Sequence, residues 1–167
     1  MSDSHTKKLT ILSLYTAISL SIFMIEAALP ALAPIPGVKL GLANIITLLV
    51  LVRFSSKDAL IVLSLRIILA TLLAGQAVSF IYSVSGGLLC LIIMSVSNKL
   101  LGGKYIYLTS ILGAVAHNTG QILAAFFVLR LSGILVYIPY LIISGIITGL
   151  FTGLVCHFTL KKLPKIN

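Results

Sequence analysis

Residues 136–160 read VYIPYLIISGIITGLFTGLVCHFTL, without one Asp, Glu, Lys or Arg. A helix needs about 20 mostly apolar residues to cross the hydrocarbon of a bilayer, and this stretch is long enough. It is too long for a barrel strand and lacks a strand's apolar–polar alternation. Working outward, similar runs occupy residues 105–131, 77–98, 59–73, 40–53 and 10–29. The expected fold is therefore all-α: a polytopic membrane protein of six transmembrane helices, residues 1–167 forming a single integral membrane domain. Composition agrees. Hydrophobic residues make up 59% of the 167 and charged ones 9%, with a mean hydropathy of +1.20. A soluble domain of this size needs a polar shell that the chain lacks.

The breaks between runs carry the polar signals. Pro30, Pro34, Pro36 and Gly37 close the first run and stiffen a loop, Ser55-Ser56-Lys57-Asp58 makes a polar turn, and Gly75-Gln76 interrupts the chain before the fourth run. This last break reads as a loop or as a re-entrant bend in a cavity. The first run is long and is read as a span and not as a removed signal peptide.

Net charge is +9, with three acids in all: Asp3, Glu26 and Asp58. Such a balance in a soluble protein would suggest nucleic acid, but here the cations lie between apolar runs, where they set topology. Lys7, Lys8, Arg53, Lys57, Lys99, Lys104, Lys161, Lys162 and Lys165 fall on one side of a six-span arrangement. That places both termini in the cytoplasm. Lys39 and Arg130 fall towards the outer side, and Arg66 lies within a span. Cys90 and Cys156 sit in apolar runs and read as inert buried thiols.

Ionisable groups inside a membrane are costly and mark function by default. Arg66 reads as an anion-binding guanidinium in a central cavity or as a structurally paired arginine; its planar fork suits carboxylate or phosphate. With Lys39 it biases the outer half of the bundle towards anions. Glu26 can pair with a cation such as Lys39 or contact a ligand. His117 and Gln121, four apart, share a helical face, and Asn118 lies beside it. These amides and the imidazole either line a pocket or bond neighbouring helices. Asn44 enters lipid depth about one turn into the second run and should point inward. Tyr82 or Phe80 offers a ring for stacking. No second His or carboxylate stands at metal-ligand spacing, so no metal site is expected.

Gly145, Gly149 and Gly153 form a small-residue stripe in the last span, and Ala17 and Ser21 a weaker one in the first. Each can pack internally or dock another membrane subunit. The chain has no G-x-x-x-x-G-K-[ST] phosphate loop, no G-x-S-x-G nucleophile and no paired carboxylates. No catalytic role or cofactor is expected of it.

The segment Pro36-Gly37-Val38-Lys39-Leu40-Gly41-Leu42-Ala43-Asn44, followed by Arg66 and by Gly113-Ala114-Val115-Ala116-His117-Asn118-Thr119-Gly120-Gln121, resembles the bacterial Gx transporter or heptaprenyl diphosphate synthase component I family. That family in turn resembles the substrate-binding S-components of energy-coupling factor (ECF) transporters, six-helix proteins that bind vitamins or cofactors and dock on an ATPase-bearing module. The resemblance implies an S-component-like bundle in the bacterial cell membrane. It implies a pocket built on the Lys39–Asn44 side and small-residue stripes facing an ECF transmembrane subunit with its ATPases. On this reading Lys39 and Arg66 neutralise a small anionic ligand such as a flavin nucleotide, and Asn44, His117, Asn118 and Gln121 orient it. The alternative is a membrane accessory subunit binding an isoprenoid diphosphate or quinone precursor. Prenyl-elongating enzymes hold magnesium with aspartate-rich clusters, and this chain has only Asp3 and Asp58.

Overall fold

The computed structural model describes residues 2–28, 39–75, 77–130 and 132–164. These form six helices, α1 (Ser2–Ala28), α2 (Asn44–Arg53), α3 (Ser56–Ala74), α4 (Ala77–Leu100), α5 (Ile106–Leu129) and α6 (Ile138–Lys162), with a 3-10 turn over Ser132–Tyr137 and no strand among the described residues. Pro30, Pro34, Pro36, Gly37, Gln76 and Lys165 lie outside the described residues.

Four stretches are long and apolar enough to cross a membrane: His5–Ala28, Ala77–Leu100, Ile106–Val128 and Gly133–Lys162. Four of the six expected runs therefore meet that length and hydropathy by themselves. The run at residues 40–53 becomes a helix of 10 residues, and α3 carries Lys57, Asp58 and Arg66. The polar lead-in before residue 10 is helical as well, because its end is tied down. Lys8 Nζ lies 2.7 Å from Asp58 Oδ1. Ser55 caps α3, its Oγ accepting from the Asp58 amide and donating to Asp58 Oδ2 at 2.6 Å. Asp58 stands just ahead of residues 59–73. Burial opposes its charge, but the bonds from Lys8 and Ser55 outweigh that and hold its carboxyl below the ordinary aspartate value.

α2 is the axis of the bundle. Asn44 to Leu51 are all buried, and α2 touches α1, α3, α4 and α6. The other helices wrap it in the order α1–α3–α4–α5–α6, with the α4–α5 and α5–α6 contacts the most extensive. Leu48, Leu49, Val50, Val62, Leu63, Cys90, Met94 and Cys156 fill the core beside its C-terminal half. Outward faces are apolar: Leu72, Phe127, Ile25 and Phe151 are all exposed, as a lipid-facing surface requires. The basic ends of the helices lie together, with Lys8 on Asp58, Arg53 Nη2 donating to the Pro164 carbonyl at 2.6 Å, and Tyr107 against His157.

The glycines of α6 belong to this packing. A Cβ on Gly149 would stand 2.6 Å from Ile111 Cα, and one on Gly145 would stand 3.1 Å from Val115 Cα. Gly153 lies against Tyr107 and Ser110, and Ser110 and Thr152 share a buried O–H···O bond of 2.6 Å. The stripe of Gly145, Gly149 and Gly153 is therefore taken up by α5, which corrects the expectation that it faces a partner. Ala17 and Ser21 are exposed on α1, and Ser21 Oγ donates to the Ala17 carbonyl.

Candidate functional site

The run expected to be helical from Leu40 does not become a helix until Asn44, because Gly41 takes φ +80°. That is left-handed backbone, which glycine adopts without steric cost. A Cβ there would meet His117 Cδ2 at 2.7 Å and Asn44 Nδ2 at 2.8 Å, so the position requires glycine on two counts. α2 consequently rises about 15 Å from the basic end, half the thickness of a bilayer core of about 30 Å. Arg66, ten residues into α3, lies at the same height. Residues 39–43 are irregular backbone inside the bundle, and their amides need acceptors.

Glu26 provides two of them. Its Oε1 accepts from the Gly41 amide at 2.6 Å and its Oε2 from the Leu42 amide at 2.9 Å. The Lys39 amide donates to Gln121 Oε1 at 3.2 Å, and Gln121 Nε2 meets His117 Nε2 at 3.0 Å. Glu26 therefore forms no ion pair with Lys39; the expected carboxylate–lysine bridge gives way to backbone capping. The fit on the other side is equally close, where a Cβ on Gly86 would stand 2.8 Å from Gln121 Cγ.

The cations gather on one ring. Lys39 Nζ lies 3.5 Å from the Phe23 centroid and Arg66 Cζ lies 5.5 Å from it, within cation–π range. Arg66 is 2% exposed, and its Nε and Nη2 have no hydrogen-bond partner. The same is true of both side-chain atoms of Asn44, and of Thr47 Oγ1, Ser79 Oγ, Tyr82 Oη, His117 Nδ1 and Asn118 Oδ1. A folded protein leaves few such groups unsatisfied. Of these groups, the free guanidinium nitrogens of Arg66 and the amide nitrogen of Asn44, with the Lys39 ammonium, are donors of the kind an oxyanion accepts from.

Lys39, Asn44, Arg66, His117 and Gln121 thus form one contiguous cluster through loop 39–43 and Phe23. Tyr82 joins an apolar group with Ile122, Ala125, Ile134 and Leu141, one turn from Gly86 on α4. Asn118 turns the other way, donating to the Leu141 carbonyl at 2.7 Å, and ties α5 to α6. Phe80 is exposed on the outer face and offers the cluster no ring. Phe23, Thr47, Ser79 and the capping role of Glu26 were not anticipated from sequence. Thr47 could have been found three residues after Asn44, and Ser79 three before Tyr82. Phe23, an aromatic in an aromatic-bearing span, gave no signal.

A family model described as heptaprenyl diphosphate synthase component I matches residues 15–159. No curated protein and no solved structure matches the chain.

Proposed function

The chain belongs to the heptaprenyl diphosphate synthase component I family, and on that premise we propose that it is a membrane accessory subunit of isoprenoid biosynthesis. It binds a small anion, an isoprenoid diphosphate or a quinone precursor, among Lys39, Asn44, Arg66, His117 and Gln121. The apolar group around Tyr82 receives the rest of the molecule. The observation that carries this reading is Arg66: a guanidinium 2% exposed, with two nitrogens unpartnered, beside a second cation on the same ring. Keeping such a charge at membrane depth is costly unless a ligand completes it.

Bond making falls to a partner subunit in this proposal. Glu26 is committed to backbone amides and Asp58 to Lys8 and Ser55, which leaves no carboxylate pair for magnesium. The exposed face of α1 around Ala17 and Ser21 is the proposed docking surface. The protein crosses the bacterial cytoplasmic membrane six times, α2 and α3 included, with its basic end and both termini in the cytoplasm.

One observation favours a second reading, an S-component-like capture subunit of an ECF-type transporter. α2 begins at half depth with polar groups gathered at its N-terminus, and transporters commonly build mid-membrane sites on such broken helices. Native mass spectrometry of the protein, purified in mild detergent from its own host, separates the two. A bound prenyl diphosphate or quinone precursor, with synthase subunits, supports the accessory reading. A flavin or other vitamin-like anion with ATPase subunits supports the transporter. Retention of any ligand by a folded Arg66→Ala variant would refute the assigned site under both.

A further inference from the structure

The charges of the cluster can be counted completely. Residues 29–38 read LPALAPIPGV and add none. His117 adds none either. Gln121 Oε1 is engaged by the Lys39 amide, so Gln121 Nε2 is the donor towards His117 Nε2, and that ring nitrogen carries no proton. Arg130 caps the far end of α5 and is exposed, and the other described cations stand at the basic end. Lys39, Arg66 and Glu26 remain: two positive charges and one negative. All three act on one another through space.

We propose that Glu26 sets the charge of the ligand, so that the site takes a singly negative headgroup and discriminates against more highly charged ones. This rests on the accessory-subunit reading and narrows its ligand from the isoprenoid diphosphate to the singly charged alternative. A monoanion brings the buried charges to zero. A diphosphate overshoots, leaving uncompensated negative charge at membrane depth. Glu26 cannot swing aside to accommodate it, because both its oxygens hold the amides of loop 39–43. Of the ligands an isoprenoid pathway offers, the structure therefore favours a carboxylate, or another singly charged group, on an apolar or aromatic body. Within the cluster Glu26 is a specificity-determining and positioning residue; it faces the ligand's charge without bonding it.

The test uses two probes with one tail, farnesoate (one charge) and farnesyl diphosphate (several), titrated calorimetrically into the full chain in nanodiscs. The wild type should bind farnesoate at least roughly tenfold more tightly. Glu26→Gln removes the charge and keeps one acceptor oxygen for the loop. It should improve diphosphate binding over farnesoate binding by a further factor of roughly ten or more, because each ligand charge loses one like-charged neighbour. A wild-type preference for the diphosphate overturns the inference without need of the variant. So does a variant, folded by its thermal melt, that shifts both affinities by one factor, which is what loop positioning alone would do. If neither probe binds the wild type, the proposed prenyl ligand falls and the inference with it; binding in the wrong charge order removes the inference alone.

Discussion

Arg66→Met should move stability and binding in opposite directions. In the ligand-free protein Nε and Nη2 of Arg66 are buried without partners, and each such group costs about 1–3 kcal/mol. Methionine fills the space on α3 and removes both. Against that gain stand the cation–π contact with Phe23 at 5.5 Å, worth about 0.5–2 kcal/mol, and the attraction of Glu26. The balance is a stabilisation of about 1–3 kcal/mol, in the range found when buried charges are replaced by apolar side chains. For a chain of this size it should raise the melting temperature by about 3–10 °C. Ligand binding should fall in the same variant. Loss of one charge-assisted bond of about 1.5–3 kcal/mol weakens affinity about 10- to 100-fold. The assay is a thermal melt in mild detergent, with and without ligand: the Arg66→Met protein should melt higher when empty and gain less on ligand addition. A variant that melts lower than wild type when empty would refute the reasoning, because Arg66 would then be a structural member of the bundle.

Three further outcomes follow from the packing and the charges. Gly149→Ala puts a Cβ 2.6 Å from the Ile111 backbone and should destabilise the protein by about 1–3 kcal/mol; Gly133→Ala, with nothing within 4 Å, should melt as wild type does. Gly41→Ala forces a side chain onto left-handed backbone at a cost of about 1–2 kcal/mol and into His117; ligand affinity measured by calorimetry should drop at least roughly tenfold. Asp58→Asn tests the Lys8 bridge by pH. The folded carboxyl lies below its unfolded value of about 3.9, so its stabilisation is complete above that value and fades as pH falls through the folded one. With the Lys8 side chain 44% exposed the effect is under about 1 kcal/mol; melts of the two proteins should differ at pH 7 and draw together as the pH falls below about 3.9.

The long helices were legible because hydropathy alone sets them: an 18-residue apolar stretch has no other stable state in lipid. Where the reading needed contacts between distant residues it was less complete. The start of α2 moved from Leu40 to Asn44 because Gly41 adopts a positive φ that Glu26, 15 residues earlier, makes tolerable. Small-residue spacing at Gly145, Gly149 and Gly153 announced a close approach, but spacing cannot name the approaching helix, which is α5. Tyr82 and Phe80 were equivalent by residue type. Two positions apart on a helix they face nearly opposite ways, and only the fold decides which is inside. Lys39, Asn44, Arg66, His117 and Gln121 were legible because polar groups in apolar runs are rare, whereas Asn118, equally rare, serves the α5–α6 contact.

The broken helix and the free cations have one cause. In hydrocarbon every backbone amide must find an acceptor within the protein, and the turn at Gly41 removes the intrahelical ones for residues 39–43. Glu26 and Gln121 supply the Lys39, Gly41 and Leu42 amides from outside the segment. Glu26 is also the acid whose charge acts on Lys39 and Arg66, and its carboxylate is held at the loop amides and not in an ion pair with Lys39. Interrupting the second helix at half depth commits Glu26 to the loop and leaves a lysine and an arginine gathered on Phe23 with unused donors. The proposed anion site thus rests on the way the chain satisfies its own backbone, and the substitutions at Gly41, Glu26 and Arg66 test three parts of one arrangement.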